Sequence, residues 1–151
     1  MTRQSPLEAL IDMAKDRVDS ATRRLAECLA GERTAAEKLQ LLTDYREEYR
    51  KRYMEAVRNG MGPADMRNYS AFLAKLDDAI LQQQQVTDHQ KRLTVAGQQQ
   101  WMQERNRLKA FDTLSQRQLQ QQQRKENKQE QRQSDEHAAK HFKSGEDEHD
   151  Q

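Results

Sequence analysis

The sequence of 151 residues predicts an all-α fold, an antiparallel two-helix coiled-coil hairpin. Three observations predict it. Helix-favouring residues dominate, and the alternating β-branched runs that form strands are absent. Apolar residues recur at alternating steps of three and four along two long segments. The two segments have nearly equal lengths and are separated by a short glycine-bearing turn, as in a helical hairpin.

The first helix is predicted over residues 5–59. Ser5 can cap it, Pro6 suits the first helical position, and Glu8 can bond back to the amide of the capping residue. At 1.5 Å per residue this helix is about 80 Å long. We call the row of residues expected to face the second helix the seam. On helix 1 the seam comprises Leu7, Ile11, Ala14, Val18, Ala21, Leu25, Cys28, Glu32, Ala35, Leu39, Leu42, Arg46, Tyr49, Tyr53 and Ala56.

The second helix is predicted over 63–118, after a turn at 60–62. Gly60 can adopt the left-handed conformation that ends a helix, and Pro63 can open the next one. The seam of helix 2 keeps the same steps but contains more polar residues. It comprises Tyr69, Leu73, Leu76, Ile80, Gln83, Thr87, Gln90, Thr94, Gly97, Trp101, Glu104, Leu108, Phe111 and Ser115.

Folding the chain at the turn brings large seam residues opposite small ones, which interdigitating helices require. The polar interruptions of the two seams also meet. The expected pairs are Trp101 with Ala21, Leu108 with Ala14, Phe111 with Ile11, Tyr49 with Leu73, Tyr53 with Tyr69, and Glu32 with Gln90.

The two ends of the chain lack this pattern. Residues 1–4 are predicted to be disordered, and 119–151 form a tail that is glutamine-rich and then acidic. Glutamine is a fair helix former, so helix 2 can continue past Gln118 without a partner. An isolated helix is marginal in water, so we expect the tail to fray or to be mostly disordered.

The composition argues against several classes of protein. The formal net charge of +1 does not provide the basic field of a general nucleic-acid binder. A single cysteine excludes an internal disulfide and suits a reducing compartment. No apolar run resembles a signal peptide or a membrane span. We therefore expect a cytosolic protein, or one held at a membrane by a partner.

Candidate chemistry is sparse, and we expect no catalytic residue, no cofactor, no metal and no small-molecule substrate. There is no glycine-rich phosphate loop, HExxH or CxxC. Cys28 occupies a seam position, which favours a small buried apolar role over a nucleophile. His137 and His141, beside Asp135 and Glu136, could ligate a metal if the tail is helical, but such spacing in a polar tail is more often coincidental.

One further apolar row flanks the seam of helix 2. Phe72, Ala79, Val86 and Leu93 share a heptad position, and Tyr45 holds the same position on helix 1. In one interpretation helix 2 rotates to bury this row in place of the polar seam. In the other the row is an exposed ridge for a partner. A mixed arrangement would bury Val86 and Leu93 and leave Tyr45 and Phe72 outside.

Three sequence stretches carry a resemblance to a known family. "LLTDYREEY" at 41–49, "NYSAFLAKLDDAILQQ" at 68–83 and "WMQERNRLKAF" at 101–111 resemble the FliJ family of the bacterial flagellar type III export apparatus. The resemblance covers residues 5 to about 118, and the glutamine-rich tail lies outside it. The family fold is an antiparallel two-helix coiled coil similar to the central stalk, the gamma subunit, of rotary ATP synthases.

The resemblance implies a non-enzymatic protein that acts through partners. These are the hexameric flagellar export ATPase (FliI), whose ring assembly it promotes as a stalk, the membrane export gate (FlhA), and export chaperones that it escorts and recycles. Nucleic acid is not among them. The implied location is the cytoplasm, at the cytoplasmic face of the inner membrane at the flagellar basal body, with the membrane reached only through partners.

The resemblance also implies a patch that binds the export gate. By motif position it maps onto Leu42, Tyr45, Tyr49, Phe72, Leu76 and Ala79. Tyr49 and Tyr53 are expected to be seam residues, whereas Tyr45 is expected to be exposed beside Phe72. Two alternatives remain open from the sequence: the equivalent stalk of a virulence-type injectisome, and a structural coiled-coil adaptor, monomeric or dimeric, from another assembly.

Overall fold

The computed structural model describes residues 5–149, with side chains through residue 146. It contains two α-helices, α1 (Pro6–Arg58) and α2 (Pro63–His149), and no strand within the described residues. The two long helices pack against each other, so the predicted all-α hairpin class is confirmed. Contacts divide the described chain into two compact units. We call residues 16–105 the hairpin unit, and residues 5–15 with 106–149 the terminal unit.

The start of α1 has the predicted capping box. The backbone N–H of Glu8 donates to Ser5 Oγ at 3.2 Å, and the backbone N–H of Ser5 donates to Glu8 Oε2 at 3.3 Å. Each residue thus satisfies a backbone donor that the first helical turn leaves without an intrahelical acceptor. Helix α1 therefore begins at Pro6 because the local sequence provides both caps.

The turn between the helices is built on two glycines. Gly60 has a φ of +88°, in the left-handed region, and its N–H donates to the carbonyl of Val57 at 3.2 Å. The carbonyl of Gly62 then accepts from the N–H of Met66 at 3.1 Å, so Pro63 occupies the first position of α2. This turn sets α2 antiparallel to α1 within the hairpin unit.

The predicted seam is the buried face of the hairpin unit. Every seam residue between Val18 and Glu104 is buried or half-buried. The register is close to the expected one: Trp101 Nε1 donates to Thr22 Oγ1 at 3.0 Å, one residue from its predicted partner Ala21. The rings of Tyr53 and Tyr69 lie 5.5 Å apart, which confirms that pair.

The polar stretch of the α2 seam stays buried or half-buried, and the side chains of Gln83, Thr87 and Thr94 are hydrogen-bonded. Thr87 is 4% exposed and donates to the carbonyls of Gln83 at 2.8 Å and Ala35 at 3.3 Å. Gln83 Nε2 also donates to the Ala35 carbonyl at 3.1 Å. Because the polar residues face α1, the neighbouring Val86 and Leu93 point to solvent and are 47% and 41% exposed. The interpretation that placed those two side chains in the core is therefore wrong.

The terminal unit also has buried and half-buried seam residues. Ala14 is 1% exposed, and Leu7, Ile11, Leu108, Phe111 and Ser115 are half-buried. From 116 to 146 every side chain is exposed.

The seam pattern predicted that helix α2 ends near residue 118. The helix instead continues to His149. Glutamine, lysine, arginine, glutamate and alanine all favour helix, and no proline interrupts the segment. The end of the apolar pattern therefore marks the end of packing and not the end of the helix. The predictions for residues 1–4 and 150–151 lie outside the described residues.

Candidate partner-binding site

An aromatic cluster lies near the turn end of the hairpin unit. Tyr45, Tyr49 and Tyr53 follow one another at four-residue steps, so α1 presents them on neighbouring turns of one side. Helix α2 contributes Tyr69 and Phe72. Successive ring centroids lie close together: Tyr45 to Phe72 at 6.3 Å, Phe72 to Tyr49 at 4.6 Å, Tyr49 to Tyr69 at 5.1 Å, and Tyr69 to Tyr53 at 5.5 Å.

The cluster has a supporting layer and an exposed layer. Tyr49 and Tyr53 are half-buried, as expected of seam residues. Tyr45 is 46% exposed and Phe72 is 36% exposed. Tyr49 contacts both exposed rings, since its centroid lies 6.4 Å from that of Tyr45 and 4.6 Å from that of Phe72. The exposed pair is therefore held from beneath by a third ring.

Tyr45 and Phe72 meet edge to face, with an angle of 84° between their rings. Edge-to-face contact places the positive edge of one ring against the negative face of the other, which stabilises this orientation. Tyr49, which was expected opposite Leu73, is in ring contact with Phe72 and Tyr69. Because the ring contacts limit rotation, the two exposed rings lose little conformational freedom when a partner binds.

The six residues predicted to bind the export gate differ in accessibility. Tyr45 and Phe72 are exposed, and Leu42, Tyr49 and Ala79 are half-buried. Leu76 is 7% exposed and belongs to the core of the hairpin unit. A partner could touch the exposed and half-buried residues directly. Leu76 would contribute only indirectly, by packing beneath them.

The sequence pattern missed one ion pair that joins the two helices beside this cluster. Arg46 Nε donates to Asp77 Oδ1, and this hydrogen bond is the main reason why the pKa of Arg46 is raised. Arg46 interrupts the apolar seam, so an acidic residue at the matching position of α2 was the available signal. The pair is solvent-accessible, so its effect on stability is small.

Three other groups near the cluster, Tyr49, Glu47 and Arg50, have shifted pKa values. Burial raises the pKa of the Tyr49 phenol, and the neighbouring Tyr69 and Tyr45 raise it further. The hydrogen bond from Arg50, with its Nη2 atom 2.8 Å from Glu47 Oε1, lowers the pKa of Glu47. Neither arrangement resembles a catalytic acid or base, since no described pocket encloses these groups.

The other sequence candidates do not assemble a site. The rings of His137 and His141 lie 4.9 Å apart on the exposed part of α2. Within the described residues no three His, Cys, Asp or Glu side chains come together as metal ligands. Cys28 is half-buried and lies beside Gly97. Across residues 5–149, neither helix has a stretch apolar enough to cross a membrane.

Comparisons with known proteins give consistent results. The family described as Flagellar FliJ protein matches residues 3–146. The chain is 35% identical over 119 residues to a Flagellar FliJ protein of Salmonella typhi, covering 78% of this chain and 80% of the relative. It is 31% identical over 118 residues to the Flagellar FliJ protein of Escherichia coli strain K12, with the same coverage.

Among solved structures, the chain is similar to a putative YscO homolog, CT670, from Chlamydia trachomatis. The identity is 20% and the TM-score is 0.43, over 90% of this chain and 92% of the other. The family match reaches residue 146, whereas the sequence resemblance had been placed at 5 to about 118. The glutamine-rich segment is thus part of the matched region.

Proposed function

The chain belongs to the flagellar FliJ protein family, and from this premise we propose that it works in flagellar protein export as a stalk-like activator of the hexameric export ATPase FliI. It also contacts the export gate FlhA, and it escorts and recycles export chaperones. The chain performs no chemistry of its own, as befits a member of this family. It acts in the cytoplasm at the inner membrane of the flagellar basal body, where partners recruit it.

The exposed Tyr45–Phe72 pair is the observation that supports partner binding. A large aromatic pair on the surface of a polar chain is unusual, and tyrosine suits an interface because it buries a rigid face and keeps a polar tip. The chain has 26 basic and 25 acidic residues. A surface of mixed charge agrees with contacts to an ATPase ring that must tolerate several orientations.

Binding of the purified cytoplasmic region of FlhA tests the gate site. We expect Tyr45→Ala and Phe72→Ala each to weaken binding by about thirtyfold, which corresponds to the roughly 2 kcal/mol of an interface hot spot. Both rings are exposed, so circular dichroism should report unchanged helicity. Leu29→Ala and Leu81→Ala are matched controls, because these side chains are 48% and 57% exposed and lie more than two helical turns from Tyr45 and Phe72.

A different result would remove the site from the proposal. Equal binding by Tyr45→Ala and the controls would show that the aromatic pair is not the contact. A loss of helicity as large as that of the seam variant Leu25→Ala would mean that the pair maintains the fold.

Activation of the ATPase is tested by titrating FliI from the same organism with this chain. We expect a saturable rise in ATP hydrolysis, with hexamers appearing over the same concentration range. A flat titration with a folded chain would contradict the stalk role and would favour an adaptor of another kind.

A further inference from the structure

In one part of α2, polar side chains face α1 and are buried, whereas apolar side chains face solvent. Between Gln83 and Thr94 the seam residues are polar, and Thr87 and Thr94 are only 4% and 5% exposed. One position away, Val86 and Leu93 are left in solvent. Departures from the usual burial of apolar side chains are found chiefly at functional sites.

Hydrogen bonds explain why α2 does not rotate to correct this. Thr94 Oγ1 donates to the Gln90 carbonyl at 3.1 Å, and Thr87 and Gln83 both donate to the Ala35 carbonyl. Rotation would break the two bonds to α1 and the close packing at Ala35, which is 5% exposed. The exposed apolar side chains are therefore a fixed feature of the hairpin unit.

We call Phe72, Ala79, Val86 and Leu93 the apolar row. Its members recur every seven residues and extend over about 32 Å of helix. Opposite its middle, α1 has Gly31, and a shallow cleft forms there between Gly31, Lys38, Val86 and Gln90. The row begins at the Tyr45–Phe72 pair, so the cleft continues the surface of the proposed gate site.

Two basic residues of α1 flank the row. At the equivalent heptad position of α1 the charged residues next to the row are Arg24 and Lys38. Lys38 lines the cleft at Val86, and Arg24 lines the following cleft. Asp16 and Glu104 bring acidic groups to that second cleft, beyond the end of the row.

We propose that the apolar row docks a single amphipathic helix of a partner protein, about 20 residues long, whose apolar stripe is flanked by acidic residues. One end of this helix covers the Tyr45–Phe72 pair, and the other reaches Leu93. A second copy of the chain fits less well, because two such rows packed on each other would bring Lys38 and Arg24 against basic residues. The partner protein used to test this inference, FlhA, is taken from the proposed function, so the inference rests on that proposal.

The test measures binding of the cytoplasmic region of FlhA to the full chain by calorimetry. The double variant Val86→Gln with Leu93→Gln should bind about tenfold more weakly, with unchanged helicity. The matched control is Leu81→Gln with Val95→Gln. It changes the same residue types on the same helix at 57% and 52% exposure, but outside the row, and should bind within about twofold of the unsubstituted chain. Lys38→Glu should also weaken binding.

The outcomes separate this inference from the proposed function. If Tyr45→Ala weakens binding while the Val86/Leu93 double variant does not, the inference fails and the gate site stands. Stronger binding by Lys38→Glu would show that the partner helix is not flanked by acidic residues, and would overturn the proposed occupant. A dimer that the row substitutions dissociate would assign the row to a second copy and overturn the inference. Failure of the unsubstituted chain to bind would overturn both proposals.

Discussion

Gly97 lies in the packed face between the two helices of the hairpin unit. A Cβ atom added there would lie 3.7 Å from Cys28 Sγ and 3.8 Å from the Cα of Leu25, which are ordinary van der Waals contacts. The φ angle of Gly97 is not positive, so alanine can adopt the backbone conformation. Glycine at this position therefore lowers the stability of the helix relative to alanine, because it costs conformational entropy on folding and avoids no steric clash.

We expect Gly97→Ala to raise the free energy of unfolding by about 1 kcal/mol. Gly60→Ala is the contrasting variant, because a φ of +88° strains any side chain, and it should lower the free energy of unfolding by about 1 kcal/mol. Urea unfolding followed by circular dichroism measures both changes. Destabilisation by Gly97→Ala would mean that the Leu25 backbone cannot accommodate a methyl group.

Tyr49 should make the fold sensitive to alkali. Its phenol has a pKa above the ordinary 10.0 in the folded chain, because burial disfavours the phenolate. Above about pH 10 the unfolded chain loses this proton while the folded chain keeps it, so stability falls as pH rises. Below that pH both states keep the proton, and Tyr49 contributes no pH dependence.

The measurement is urea unfolding between about pH 8 and 11 for the natural chain and Tyr49→Phe. We expect a shallower alkaline loss in Tyr49→Phe, since phenylalanine cannot ionise. Tyr53→Phe serves as the control, because it removes a phenol of the same helix that is not among the neighbours raising the pKa of Tyr49. Equal slopes for all three chains would contradict a buried neutral phenol at Tyr49.

At the scale of elements, the packed part of each helix was predictable and the end of α2 was not. Steps of three and four residues report which side chains are buried, so the seam from Leu7 to Ser115 followed from the sequence. Helicity itself depends on backbone preferences, and the glutamine-rich segment satisfies those without any burial. The exposure of Val86 and Leu93 could not be predicted either, because it depends on hydrogen bonds to the Ala35 carbonyl.

The segment of α2 beyond Gln118 should contribute little to stability, since all its described side chains are exposed through residue 146. We expect truncation after Gln118 to leave the urea midpoint of the paired helices unchanged within error, while the helical signal falls. Amide exchange from 119 to 146 should be fast, because a helix without tertiary packing opens readily. A lower midpoint in the truncated chain would reveal a contact made by this segment.

At the scale of the whole molecule, the pairing of the seams within one chain predicts a monomer. In both compact units the seam residues are already buried or half-buried within one chain, so no seam is left for a second copy. The apolar row is among the apolar side chains that stay exposed, and its basic neighbours Lys38 and Arg24 oppose packing against an identical row. The small net charge of +1 provides little general repulsion, so this local repulsion is the relevant one.

We therefore expect light scattering to report a monomer of 17.8 kDa at micromolar concentration. Salt provides the sharper test, because it screens repulsion between exposed basic groups while leaving apolar contact intact. A dimer that appears only at high salt and is lost in the Val86→Gln, Leu93→Gln variant would show that the apolar row pairs with a second copy, which would overturn the docking of a partner helix on it. A dimer that forms at low salt and persists in that variant would place the self-association surface elsewhere on the chain and would show that pairing of the seams within one chain does not determine the oligomeric state.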